Sequence, residues 1–218
     1  MFNLLKKDFI LLSGVSIFIV ICAYIDSIIG FILLKANNIN IAYTFGIIGI
    51  VFILIVSCIE HDGRNKSQVI LNSFPIKRSD IVKEKYIILI VFILISSILF
   101  FLLTNIIKVV SHKTDGRAIG ILDIIVAIDI LLIFYSIYFP LFFKFDSNNV
   151  FNSILFILVL IAPKILVKVF DRFEVERILD MVESLNSYKV SIVIFIFSIA
   201  IYCISLQVSK HIYLKREF

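Results

Sequence analysis

The stretch Glu60–Tyr86, EHDGRNKSQVILNSFPIKRSDIVKEKY, decides how the chain is read. Two long apolar runs flank it, Ile41–Ile59 and Ile87–Ile107, and it is the most polar long segment in between. Arg64, Lys66, Lys77, Arg78, Lys83 and Lys85 all crowd into it. In its middle Val69, Ile70, Leu71 and Phe74 form a short apolar cluster closed by Pro75. Val69, Ile70 and Phe74 fall near one face of a short helix, because residues four and five apart nearly realign on a helix. Pro75 would end that helix, since a proline pushes the residue before it out of the helical region. The spacing therefore predicts a short amphipathic helix, a basic turn and a re-entry into apolar solvent. A plain solvated loop that merely orients the protein fits the same residues.

Of the 218 residues, 61% are hydrophobic, against roughly 45–50% in a soluble domain. A single globule cannot bury that much apolar surface, so lipid is the expected solvent. The net charge of +5 does not point to a nucleic acid partner. The basic residues gather at the ends of apolar runs, where anionic lipid head groups meet them. Cys22, Cys58 and Cys203 all lie within or at the ends of such runs and read as small buried hydrophobes. Lys6 and Lys7 followed by apolar residues resemble a signal peptide. The run Phe9–Leu34 is too long for one and ends without a small-residue cleavage site, so an uncleaved first span is expected.

A span needs about 20 mostly apolar residues, and six stretches qualify: Phe9–Leu34, Ile41–Ile59, Ile87–Ile107, Ile121–Phe143, Val150–Val169 and Val190–Val208. Their Ile and Val content would favour strands in water. In lipid each backbone group must be paired within its own segment, so the expected fold is an all-α integral membrane protein of six helices. The whole of 1–218 reads as one transmembrane domain. An even number of spans puts both termini on one side. With that side inside, the inner segments hold Lys6, Lys7, the six basic residues above, Lys144, Lys210, Lys215 and Arg216. The outer ones hold Lys35, Lys108, Lys113, Arg117, Lys164, Lys168, Arg172, Arg177 and Lys189. Twelve against nine favours cytoplasmic termini and a cytoplasmic Glu60–Tyr86 segment.

The phosphate-loop pattern is absent: DGRNKS at Asp62–Ser67 lacks the second glycine. No HExxH or GxSxG occurs, and His61, His112 and His211 stand far apart near span ends. Neither a catalytic site nor a metal site is expected. Asp26 and Asp123 fall close to the outer ends of their spans, where a carboxylate is cheap. Asp129 lies deeper and needs a partner or a polar cavity. Lys164 and Lys168, in the outer half of the next span, are its candidate partners. A structural ion pair and a pathway-lining role both fit. In the last outer segment, 170–189, Val175, Ile178, Leu179, Val182 and Leu185 recur at helical spacing. Glu174, Glu176, Asp180 and Glu183 belong to an acidic opposite face. A short amphipathic outer helix that caps the bundle is expected there.

LNSFPIKRSDIVKEKY at Leu71–Tyr86 resembles the motif of bacterial ABC-2-type transporter permeases. There an acidic residue and a KN-like pair precede a leucine, an SLPI-R core, and an IV--KY entry to the third span. Glu60, Asn65, Lys66, Leu71, Ser73, Phe74, Pro75, Ile76, Arg78, Ile81, Val82, Lys85 and Tyr86 fill those places. Phe74 replaces the commoner leucine, and Asn65–Lys66 stand in reversed order. The opening MFNLLKKDF is similar to the family's amphipathic entry segment. The six-span form resembles the permeases of peptide, bacteriocin and toxin exporters, among them the phenol-soluble-modulin exporter.

The resemblance implies a permease that pairs with a second permease, as a homodimer or heterodimer. A separate ATP-binding subunit, carrying ATP and Mg, would dock on the coupling helix between spans two and three. Glu60, Arg64, Asn65, Lys66, Val69, Ile70, Leu71, Ser73, Phe74, Pro75 and Arg78 are then the coupling residues. The cargo it implies is an amphipathic peptide or a hydrophobic small molecule, exported across a bacterial cell membrane. A stand-alone immunity or sensor protein, binding a bacteriocin-like peptide without an ATPase, is the alternative.

Overall fold

The computed structural model describes Lys7 and residues 16–33, 41–64, 77–111, 118–145 and 187–215. Every element among these is a helix: α1 (Ser16–Leu33), α2 (Ile41–Arg64), α3 (Arg78–Ser111), α4 (Ile121–Phe145) and α5 (Ser187–Leu214). Four are long and apolar enough to cross a membrane, over Ala42–Gly63, Arg78–Val110, Ile121–Lys144 and Ser191–Leu214. The apolar stretch Phe18–Ile28 of α1 is shorter. The four long helices overlap the expected spans two, three, four and six, and α1 falls within the expected first span. The expected fifth span, Val150–Val169, and the outer segment 170–186 lie outside the described residues, as does 65–76 at the centre of the coupling stretch.

The helices run past the apolar stretches that mark them. α2 continues through Glu60 to Arg64, and α3 begins at Arg78. The 34 residues of α3 make a rod of about 51 Å, well beyond a hydrocarbon core of about 30 Å. In its first two turns Ile81, Val82 and Tyr86 are buried together with the charged Glu84 and Lys85, while Lys83 is half-exposed. Asp80 sits in the first turn, where the helix dipole favours an anion, and Lys83 Nζ lies 3.5 Å from it. α4 starts on a cap in which the Gly120 N–H donates to Asp123 Oδ2 at 2.7 Å. That accounts for a carboxylate near the outer end of an apolar run.

α4 and α5 pack along the greatest length, α1 lies against α2 and α3, α2 touches α3 and α4, and α3 touches α5. The close approach of α1, α2 and α3 depends on Gly46. A Cβ there would stand 2.6 Å from Phe100 Cζ and 3.4 Å from Asp26 Cβ, so the missing side chain makes room for a fully buried phenyl ring. Hydroxyls within the helices turn back onto their own backbone. Ser27 donates to the Ala23 carbonyl, Ser97 to Ile93 and Thr104 to Phe100, so their polarity is satisfied without water.

α5 is built inside out. Its buried positions are Ser198, Tyr202, Ser205, Ser209 and Tyr213, spaced four, three, four and four apart, and every one carries a hydroxyl. Ile192, Val193, Ile196, Phe197, Ile204 and Val208 are exposed. Between helices in lipid, apolar contact confers no advantage over contact with acyl chains. Polar side chains and close packing hold the interface instead.

Candidate functional site

The two helices that frame the coupling stretch are tied together at their ends. Asp62, in the last turn of α2, is buried. Its Oδ1 lies 2.6 Å from Lys7 Nζ, and its Oδ2 lies 2.7 Å from Lys85 Nζ in the second turn of α3. Lys85 Nζ also stands 3.6 Å from Glu84 Oε1. Asp62 thus holds two ammonium groups from different stretches of the chain. Lys7, the end of α2 and the start of α3 meet there. Asp62 and Lys85 are both buried, and buried charges persist only when paired with good geometry, so this pair ties the end of α2 to the start of α3.

One residue further along α3, Tyr86 enters the bundle. Its ring packs on Phe139 at 4.7 Å and on Tyr202 at 4.9 Å between centroids. Its hydroxyl lies 2.7 Å from both Ser205 Oγ and Ser209 Oγ. The protons can be assigned by elimination. Ser205 donates its only proton to the Ser136 carbonyl, 2.6 Å away, so it accepts from Tyr86. The Tyr86 proton is then committed, and Ser209 must be the donor in its own contact. The Tyr202 hydroxyl donates to the Tyr86 carbonyl at 2.8 Å. A directed chain results, from Ser209 to Tyr86 to Ser205 to the backbone of α4.

That last acceptor has a reason to be open. Pro140 lies inside α4 and has no N–H for the carbonyl four residues earlier, that of Ser136. In lipid a carbonyl without a donor is costly, and Ser205 fills the gap from α5. Around this point Phe134, Tyr135, Tyr138, Phe139, Phe142 and Phe143 of α4 form a continuous aromatic layer that reaches Tyr213 of α5. Tyr135 is buried in that layer, and its hydroxyl has no hydrogen-bond partner among the described residues.

Of the coupling residues expected from sequence, Glu60 is exposed near the end of α2, Arg64 is that helix's last residue, and Arg78 is the half-buried first residue of α3. Asn65, Lys66, Val69, Ile70, Leu71, Ser73, Phe74 and Pro75 lie outside the described residues. So do Lys164, Lys168, Glu174, Glu176, Asp180 and Glu183. Asp129 is buried in α4 and accepts a hydrogen bond from Ser198 of α5 at 2.7 Å. The Ser198 proton also lies within reach of the Phe195 carbonyl, 2.9 Å away.

Sequence reasoning passed over Asp62, which it met only as part of a failed phosphate loop, and over the α5 hydroxyls. The spacing of Ser198, Tyr202, Ser205 and Ser209 was a usable signal. Among the described residues no group of three or more His, Cys, Asp or Glu could hold a metal ion.

Long apolar helices, hydroxyl-lined contacts and a charged base on protruding helix ends define a multi-pass membrane protein of the transporter type. The chain belongs to the ABC-2 transporter family: the sequence profile of the ABC-2 family transporter proteins matches residues 3–214. Members are the membrane components of ABC transporters, typically non-catalytic themselves, and work with an ATP-binding subunit. No curated protein and no solved structure matches the chain.

Proposed function

We propose that the chain is the permease subunit of an ATP-driven exporter that moves amphipathic peptides or hydrophobic small molecules out of a bacterial cell. It works as a dimer with a second permease, and ATP and Mg are held by the partner subunit. The coupling helix lies within the segment 60–86 between spans two and three, and it seats Val69, Ile70, Leu71 and Phe74 in a groove of the ATP-binding subunit. Arg64, Lys66 and Arg78 meet the groove's acidic rim or lipid phosphates.

The observation that carries this reading is the anchoring of both ends of that segment. Asp62 and Lys85 hold its two flanking helices at one point, and Tyr86 joins the second of them to α4 and α5. A loop serving only to orient the chain has no use for such bracing. A push on 65–76 has a stiff route into the membrane.

The test is recovery of an ATP-binding subunit with the affinity-tagged chain from its own membranes. Truncating a buried aromatic anchor costs about 2 kcal/mol or more, so Phe74→Ala should lower recovery at least tenfold while the permease still inserts. If the unsubstituted chain brings no ATP-binding subunit with it, the immunity or sensor role takes its place.

A further inference from the structure

We propose that Tyr86 is the positioning residue that carries movement of the coupling segment to a hinge in α4 at Pro140, with Ser205 as the latch. The proposal rests on the exporter reading above. Three observations converge on it. Tyr86 follows the charged turn that Lys85 pins to Asp62, so any displacement of the start of α3 displaces Tyr86. Its carbonyl is held by Tyr202, and its hydroxyl bridges Ser205 and Ser209 on successive turns of α5. The first two turns of α3 are therefore bonded at three points to the last turns of α5, the route by which a displacement of the one reaches the other.

The third observation is the target. Pro140 interrupts the backbone ladder of α4, leaving that helix one fewer hydrogen bond to hold it straight. The Ser136 carbonyl opposite the interruption is bonded from another helix, by Ser205. Sliding α5 away withdraws that donor and frees α4 to bend. Sliding it back restores the bond. The aromatic layer beyond the proline, Phe142 and Phe143 against Tyr213, would be carried with the bend. A hinge near one membrane face alters the opening of the bundle at that face.

The test uses the complete complex in phosphatidylcholine–phosphatidylglycerol vesicles, in a background lacking Cys22, Cys58 and Cys203. Spin labels are placed on Lys77 and Lys144, both exposed, before and beyond the proposed linkage. A non-hydrolysable ATP analogue should shift the distance between them. Tyr86→Phe keeps the ring in its packing, removes the hydroxyl and should abolish the shift. Ser205→Ala should do the same, whereas Ser209→Thr, which preserves the donor, should retain it. A Tyr86 of purely structural importance would leave the shift intact, whatever the change in melting temperature. A full shift in Tyr86→Phe, or none in the unsubstituted complex, overturns the proposal. Failure of the exporter reading shows up separately, as an unsubstituted chain with no ATP-binding subunit attached.

Discussion

Two tyrosines of the same bundle should answer the same substitution in different ways. Tyr86 and Tyr135 are both fully buried among aromatic rings. The hydroxyl of Tyr86 stands in a chain of hydrogen bonds, while that of Tyr135 has no partner among the described residues. Removing a satisfied hydroxyl strands its neighbours. Removing an unsatisfied one relieves a desolvation penalty. Tyr86→Phe should therefore lower stability by about 1–2 kcal/mol, and Tyr135→Phe should leave it unchanged or raise it, as read from thermal unfolding in detergent. The Ser205 bond to α4 gives a second prediction. Ser205→Ala leaves the Ser136 carbonyl open only because residue 140 is a proline. In a Pro140→Ala background the helix supplies its own donor, so Ser205→Ala should cost less there by about 0.5–1.5 kcal/mol. Strict additivity would show that Ser205 does not serve that carbonyl. None of these contacts was legible in the sequence, because a serine in an apolar run looks the same whether it bonds its own helix, as Ser97 does, or another, as Ser205 does.

Among the elements, α2, α3 and α4 were legible from their apolar runs, and α2 and α4 begin where those runs begin, at Ile41 and Ile121. Apolar length marks where lipid stops and says nothing of where hydrogen-bonded helix stops. Glu60–Arg64 and Arg78–Tyr86 therefore fell outside the expected spans, although they are the last turn of α2 and the first turns of α3. The buried face of α5 was hidden for a related reason. Period analysis looks for an apolar stripe facing a core, whereas here the apolar side chains are outermost and the stripe is hydroxyl. At the helix ends Asp62 is decisive. It is one carboxylate shared by lysines of two other stretches. Asp62→Asn removes the charge that balances Lys85 and should cost about 3–5 kcal/mol, as expected for breaking a buried pair. Asp62→Asn combined with Lys85→Met should cost less than the sum of the two single changes if the α2–α3 contact itself matters. Strict additivity would show that Asp62 and Lys85 are not coupled.

At the scale of the whole molecule, the contacts bring one set of helix ends together. Asp62 joins the end of α2 to the start of α3, Ser209 joins the start of α3 to the end of α5, and Tyr213 joins the end of α5 to the end of α4. Lys7, Lys77, Arg78, Lys83, Lys85, Lys144, Lys210 and Lys215 therefore belong to one end of the bundle. Lys108 marks the other end, in the last turn of α3. Twelve basic residues against nine over the whole sequence, with the positive-inside rule, are the ground on which we propose that the end carrying the coupling segment faces the cytoplasm, as docking of an ATP-binding subunit requires. In a background lacking Cys22, Cys58 and Cys203, a cysteine at Ser67 should resist a membrane-impermeant thiol reagent on intact cells and react once the cells are opened. A cysteine at Lys113, beyond the other end of α3, should react in both conditions. Labelling of Ser67→Cys on intact cells would put the coupling segment outside. No ATP-binding subunit could then reach it, and the sensor role would be the one left standing.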